Sequence, residues 1–144
     1  MSFTDPADDL LAGAIDAHGG LERWRATPDE LDDLRVSMAI QLDKTAGFRE
    51  KGMALHLRFH AIGIAQLACI LLVTAWDGYA VDGGKNLTRV LDHPQCPPKL
   101  RASLLTVLTA SETEEVASAA FALGEACLAV SGGPVDQHHG GIPR

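Results

Sequence analysis

Large apolar side chains occupy every second position in two stretches of this chain. The first is Val36-Ser37-Met38-Ala39-Ile40-Gln41-Leu42-Asp43; the second is Met53-Ala54-Leu55-His56-Leu57-Arg58-Phe59-His60. A strand sends successive side chains to opposite faces, so this period predicts two half-buried antiparallel strands, each with one apolar face. The polar stretch Lys44 to Gly52, containing Gly47, would join them as a hairpin. Ala61 to Trp76 follows as a nearly unbroken apolar run. Its Ile70, Leu72 and Val73 favour a third strand over residues 68–75. Trp76-Asp77-Gly78-Tyr79 carries the Asp-Gly pair of tight hairpins, which predicts a short returning strand over Tyr79 to Val81.

Helix signals flank this central block. Residues 5–18 place Leu10, Leu11, Ala14, Ile15 and His18 at helical spacing, with Asp8, Asp9, Ala12 and Asp16 on the other side. Asp5 and Pro6 suit the start of that helix, and Gly19-Gly20 suits its end. Thr27-Pro28-Asp29-Glu30 is a second helix start, with room for about two turns before the strand at Val36. Asn86 to Leu91 reads as a short helical turn stopped by Pro94. Beyond Pro97-Pro98, Leu100, Leu104, Leu105 and Leu108 make an apolar helical face. Ser111-Glu112-Thr113-Glu114 has the form of a capping box. Val116, Ala120, Leu123, Cys127 and Val130 then recur at steps of three and four, up to Ser131-Gly132-Gly133-Pro134.

The expected fold is therefore a single α+β domain over residues 1–131. An N-terminal helix precedes an antiparallel sheet of three to five strands, and C-terminal helices pack on one sheet face. Residues 132–144 would form a Gly- and His-containing tail. A spanning helix needs about 20 apolar residues. The run from Ala61 to Trp76 is shorter and holds Gly63 and Gln66, so it predicts a buried strand or core helix and not a membrane span.

Composition narrows the partners. The formal net charge is −7 over 144 residues, and the twelve Lys and Arg are scattered. That argues against a nucleic-acid surface. Cys69, Cys96 and Cys127 form no C-x-x-C, which removes a zinc ribbon and a thioredoxin-type pair, and a reducing cytoplasm is the expected compartment. The acidic start, Asp5, Asp8 and Asp9, is unlike a signal peptide.

Candidate chemistry is sparse. On the expected strand, His56, Arg58 and His60 share the polar face and could together hold an anion. On a helix, the two imidazoles, four residues apart, would share a face and could clamp a metal. His93 and Cys96 have a ligand-like two-residue gap in a Pro-rich loop, and of the three thiols Cys96, near His93, is the candidate nucleophile. His18 fits a helix C-cap, and His138-His139 has no fixed geometry. Gly83-Gly84-Lys85 lacks phosphate-loop spacing, and no G-x-G-x-x-G, G-x-S-x-G or H-E-x-x-H occurs. The acidic clusters sit at helix starts, where the helix dipole accounts for them.

Ala14-Ile15-Asp16-Ala17-His18-Gly19-Gly20-Leu21-Glu22-Arg23-Trp24-Arg25-Ala26 resembles the opening of uncharacterised bacterial proteins related to the LolA-like lipoprotein-carrier fold. The resemblance implies a helix leading into a curved antiparallel half-barrel that could hold an acyl chain. It covers thirteen residues and contains no catalytic motif.

Three functional expectations follow. The first is a non-enzymatic domain that binds a small apolar or amphipathic ligand between sheet and helices, lined by Leu55, Leu57, Phe59 and Trp76, without a cofactor. The second is a small enzyme or metal-binding protein using His56, His60, His93 or Cys96. The third is a homo-oligomer joined through residues 112–131.

Overall fold

The computed structural model describes residues 25–81 and 83–133, and every regular element in them is helical. The five helices are α1 (Pro28–Glu50), α2 (Ala54–Asp77), α3 (Gly83–Asp92), α4 (Pro98–Thr109) and α5 (Thr113–Ser131). The expected sheet is not formed among the described residues. Both alternating segments lie inside long helices, the first in α1 and the second in α2, and the stretch over 68–75 continues α2.

The correction has a physical cause. In an eight-residue window, period two and period 3.6 are poorly separated; over the full length of α1 only the helical period survives. Leu31, Leu34, Met38, Leu42 and Thr45 are spaced by three and four residues and all turn toward the core, Met38 and Thr45 being fully buried. The start signal at Thr27 is real: its Oγ1 accepts a hydrogen bond from the Glu30 N–H at 3.2 Å, with Pro28 in the first turn. That helix runs 23 residues instead of two turns. Lys51, Gly52 and Met53 reverse the chain, Gly52 taking φ +66°.

α2 is the central helix and packs against all four others. Leu57, Ala61, Ile64, Ala65, Ala68 and Leu72 form its inward stripe, and from Ala68 to Thr74 burial runs almost all the way round. A helix buried on every side shows no amphipathic period, which is why this run resembled a buried strand. By length and composition Ala54–Asp77 could cross a membrane, but half of its most apolar part is buried in the bundle. The Asp-Gly pair is a helix terminus and not a hairpin. Gly78 adopts φ +91°, and its N–H donates to the Thr74 carbonyl at 2.9 Å. Tyr79 to Val81 has no strand partner; the Asn86 side chain instead bonds both the N–H (3.0 Å) and the C=O (2.9 Å) of Val81.

α4 begins at Pro98, as the Pro pair predicts, and buries Leu100, Leu104 and Val107. α5 begins at Thr113 without the expected capping box, since no side chain caps its first turn. Of the stripe expected to join subunits, Val116, Ala120, Leu123 and Cys127 are fully or almost fully buried in the bundle's own core, and Val130 is exposed. Gly124 lets α5 approach α1 closely, directly over Leu42. The expected helix over 5–18, most of the segment carrying the family resemblance, and residues 134–144 lie outside the described residues.

Candidate functional site

The side of α2 opposite its inward stripe is also apolar. Leu55, Phe59 and Ile62 follow at steps of four and three and are 83%, 76% and 46% exposed. Leu105 and Leu108 of α4, both more than 40% exposed, face solvent as well. Between the two helices runs a groove of about 400 Å³, lined by Ile62, Ala65, Gln66, Cys69 and Ile70 of α2, by Gly83, Gly84 and Leu87 of α3, and by Leu104 and Leu108 of α4. Gln66 is the one uncharged polar side chain in this wall, and no charged residue lines it. At the α3 end the glycines leave room: a Cβ on Gly83 or Gly84 would meet nothing within 4 Å. This is a preformed apolar cleft of the size that small-molecule sites occupy.

α4 is tied to its neighbours at both ends. Arg58 donates to the carbonyls of Ser111 (3.1 Å) and Ala110 (3.3 Å), just past the last turn of α4. The cation thus meets the negative end of the α4 dipole. At the other end, Arg101 of α4 donates to the Leu91 carbonyl at 2.9 Å and fixes α4 to α3.

The four lining residues expected from the sequence separate. Leu55 and Phe59 lie on the exposed stripe beside the groove. Leu57 is 3% exposed and belongs to the core, because residues two apart on a helix point about 200° away from each other. Trp76 lies on the far end of α2, its indole stacked on His93 with ring centroids 4.5 Å apart. The groove residues Ile62, Ile70, Leu87 and Leu108 were not singled out as a site. The signal was present: Leu55, Phe59, Ile62 and Gln66 share one helical face, but only if the segment is read as a helix.

The titratable candidates do not converge. His93 Nδ1 accepts from the Gln95 N–H at 3.1 Å, so Nε2 carries the proton and donates to Asp77 Oδ1 at 2.9 Å. Arg89 donates to the other oxygen of Asp77 at 2.7 Å and lies over the Tyr79 ring, 4.8 Å from its centroid. Both imidazole nitrogens are thus engaged in a clasp that joins the end of α2 to the end of α3. Partial burial works to raise the Asp77 carboxyl, but the hydrogen bonds and charges of His93 and Arg89 outweigh it and hold it below the ordinary range.

A carboxyl lowered in this way contributes stability above its unfolded pKa, about 3.9, and loses it as pH falls through the lower folded value. Asp77→Asn is therefore expected to cost about 1–2 kcal/mol at pH 7, the size of a partly exposed charge-assisted network. In urea titrations the gap from wild type should begin to narrow at about pH 3.9 and close only as the pH falls through the lower folded value. A gap independent of pH would remove the ionic basis of the clasp.

His56 and His60 do share a helix face, as the helical alternative required. They pack against Phe48 of α1, with ring centroids 5.3 Å and 4.9 Å away, and His60 Nδ1 lies 3.1 Å from Gln41 Oε1. No group of three His, Cys, Asp or Glu side chains suited to a metal occurs among the described residues. His60 and Asp77 are 17 positions apart on one helix, about 25 Å along its axis, so the two histidine clusters occupy opposite ends.

All three cysteines are buried and free. Burial, and secondarily Cys96, pushes the Cys69 thiol up to about 11. Burial and Cys69 push Cys127 up to about 12 against the opposing charge of Arg35. Cys96 is also raised by burial, in spite of Arg101. Thiols kept protonated in this way are poor nucleophiles. The fully or nearly buried polar side chains Thr45, Thr74 and Asn86 each bond neighbouring backbone, which leaves none of them directed at a substrate.

Comparison with protein-family models, with curated proteins and with solved structures gives no match for this chain.

Proposed function

We propose that this protein is a non-catalytic binding module whose α2–α3–α4 groove takes the apolar part of a small hydrophobic or amphipathic molecule. The observation that carries this reading is the continuity of exposed apolar surface with a concave apolar cleft. Single exposed leucines are ordinary on a soluble protein, whereas a contiguous patch rimming a groove marks a site of interaction. The lining supplies hydrophobic contact and almost no hydrogen-bonding chemistry, so recognition here is by shape and desolvation. Each apolar side chain covered on binding contributes on the order of 1 kcal/mol, at about 25 cal/mol per Å² removed from water.

The test is a fluorescence titration of the full chain with 1-anilinonaphthalene-8-sulfonate. Saturable binding is expected. Ile62→Asp and Leu108→Asp should each weaken it at least tenfold with an unchanged circular-dichroism spectrum, because both positions are already partly exposed and tolerate a charge. Absence of saturable binding, or equal binding by both variants, would overturn the assignment.

A further inference from the structure

We infer that the outward stripe of α2 is an interface between two copies of this chain, which pair about a two-fold axis with their α2 helices antiparallel. The inference goes beyond the binding of a small molecule, which would leave that stripe uncovered. Leu55 and Phe59, the two most exposed large apolar residues described, do not line the groove.

Spacing is the first observation. Leu55, Phe59, Ile62 and Gln66 are all exposed and follow at steps of four, three and four. Such steps give the 3.5-residue repeat of helices that pair along a seam. The other large aliphatic side chains in this stretch, Leu57 and Ile64, are buried. The midpoint of the stripe falls between His60 and Ala61. Antiparallel pairing about it sets Phe59 opposite the partner's Ile62 and Leu55 opposite the partner's Gln66, so all four positions on each copy are covered. Gly63, where a Cβ would meet nothing within 4 Å, leaves room beside Ile62 for the partner's Phe59. Gln66 falls at the two ends of the paired stretch, and one polar residue in an otherwise apolar seam fixes its register.

Area is the second. With roughly 200 Å² to a large side chain, the exposed parts of Leu55, Phe59, Ile62, Leu105 and Leu108 come to about 500 Å² on each copy. Pairing therefore removes about 1,000 Å² before the polar rim is counted, which reaches what a specific interface needs and belongs to the weak, reversible end of the range. A dissociation constant on the order of tens of micromolar follows, with monomers at a few micromolar.

Charge sets the direction. No charged residue stands in the stripe, and the Arg58 guanidinium beside it is engaged by the carbonyls of Ala110 and Ser111. The start of α2 has no side-chain cap and no acidic residue in its first turn. Antiparallel pairing keeps these two positive helix starts about 20 Å apart along the axis and opposes the helix dipoles. Parallel pairing would bring the starts together, with the exposed Lys51 of each copy just before them.

The experiment is sedimentation equilibrium of the full chain from about 5 to about 300 µM, a range that brackets the expected constant. The mass is expected to rise from one chain to two. Phe59→Asp and Ile62→Lys should each weaken association at least tenfold with an unchanged circular-dichroism spectrum, since both positions are exposed in the single chain. An equimolar mixture of the two variants should associate at least fivefold more tightly than either alone. Only the antiparallel register sets the new carboxylate against the new ammonium while the second Phe59–Ile62 layer stays native. A single-chain mass at every concentration would overturn the inference. So would association that both variants leave unchanged, or a mixture no tighter than its components. None of these readouts involves the fluorescent probe, so a monomeric chain leaves the groove standing as a binding site, and a groove that binds nothing leaves the pairing standing.

Discussion

Leu57→Asp is expected to unfold the protein at 25 °C, while Leu55→Asp and Phe59→Asp leave its stability within about 0.5 kcal/mol of wild type. The three residues occupy alternate positions, and a strand would give them one fate. On α2 they do not share one: Leu57 is buried against the core, and Leu55 and Phe59 are among the most exposed apolar residues described. Replacing Leu57 removes about 2–3 kcal/mol of burial and places an unpaired carboxylate in an apolar interior, at a cost of several kcal/mol more. A small domain has about 5–15 kcal/mol in total, so the sum approaches or exceeds the whole. Thermal and urea denaturation of the three variants reads the result. Equal destabilisation of all three would return the segment to a strand.

Gly124→Val should destabilise by about 2 kcal/mol although valine is a better helix former than glycine. A Cβ at 124 would stand 2.6 Å from Leu42 Cδ2 and 3.1 Å from Leu42 Cγ, so α5 or the Leu42 side chain has to move. The same contact offers a rescue. Leu42→Ala removes the obstructing atoms, and the double variant is expected to lose at least about 1 kcal/mol less than the sum of the two singles. Additive losses in a double-mutant cycle would show that the two helices do not meet there.

Much of the outer helical framework was legible in the sequence. Thr27 with Pro28, the Pro pair before Leu100, and the period of α5 from Val116 to Cys127 each act locally, and each is found where its signal stands. Gly78 was legible in part: the need for a positive φ was visible, but an Asp-Gly pair serves a helix end as well as a hairpin. The centre was misread because two different effects imitate strands. In α1, Ile40 and Leu42 are only half-buried, so alternate spacing there did not report a single buried face. In α2, the exposed stripe at Leu55 and Phe59 and the buried stripe at Leu57 are both apolar, and together they mimic period two. The groove shared that fate, since its α2 wall continues the exposed stripe of Leu55 and Phe59. The Asp77–His93–Arg89 clasp joins residues from two helix ends, and nothing local in the sequence announces it.

Apolar molecules should reach this protein through the outward stripe of α2 and the facing side of α4. Methyl-resolved NMR of the full chain, titrated with 1-anilinonaphthalene-8-sulfonate, measures that directly. Saturating shifts confined to Ile62, Ile70, Leu87, Leu104 and Leu108 are the expected result. Shifts centred instead on the residues around Trp76 and His93, or no saturable shifts at all, would contradict it.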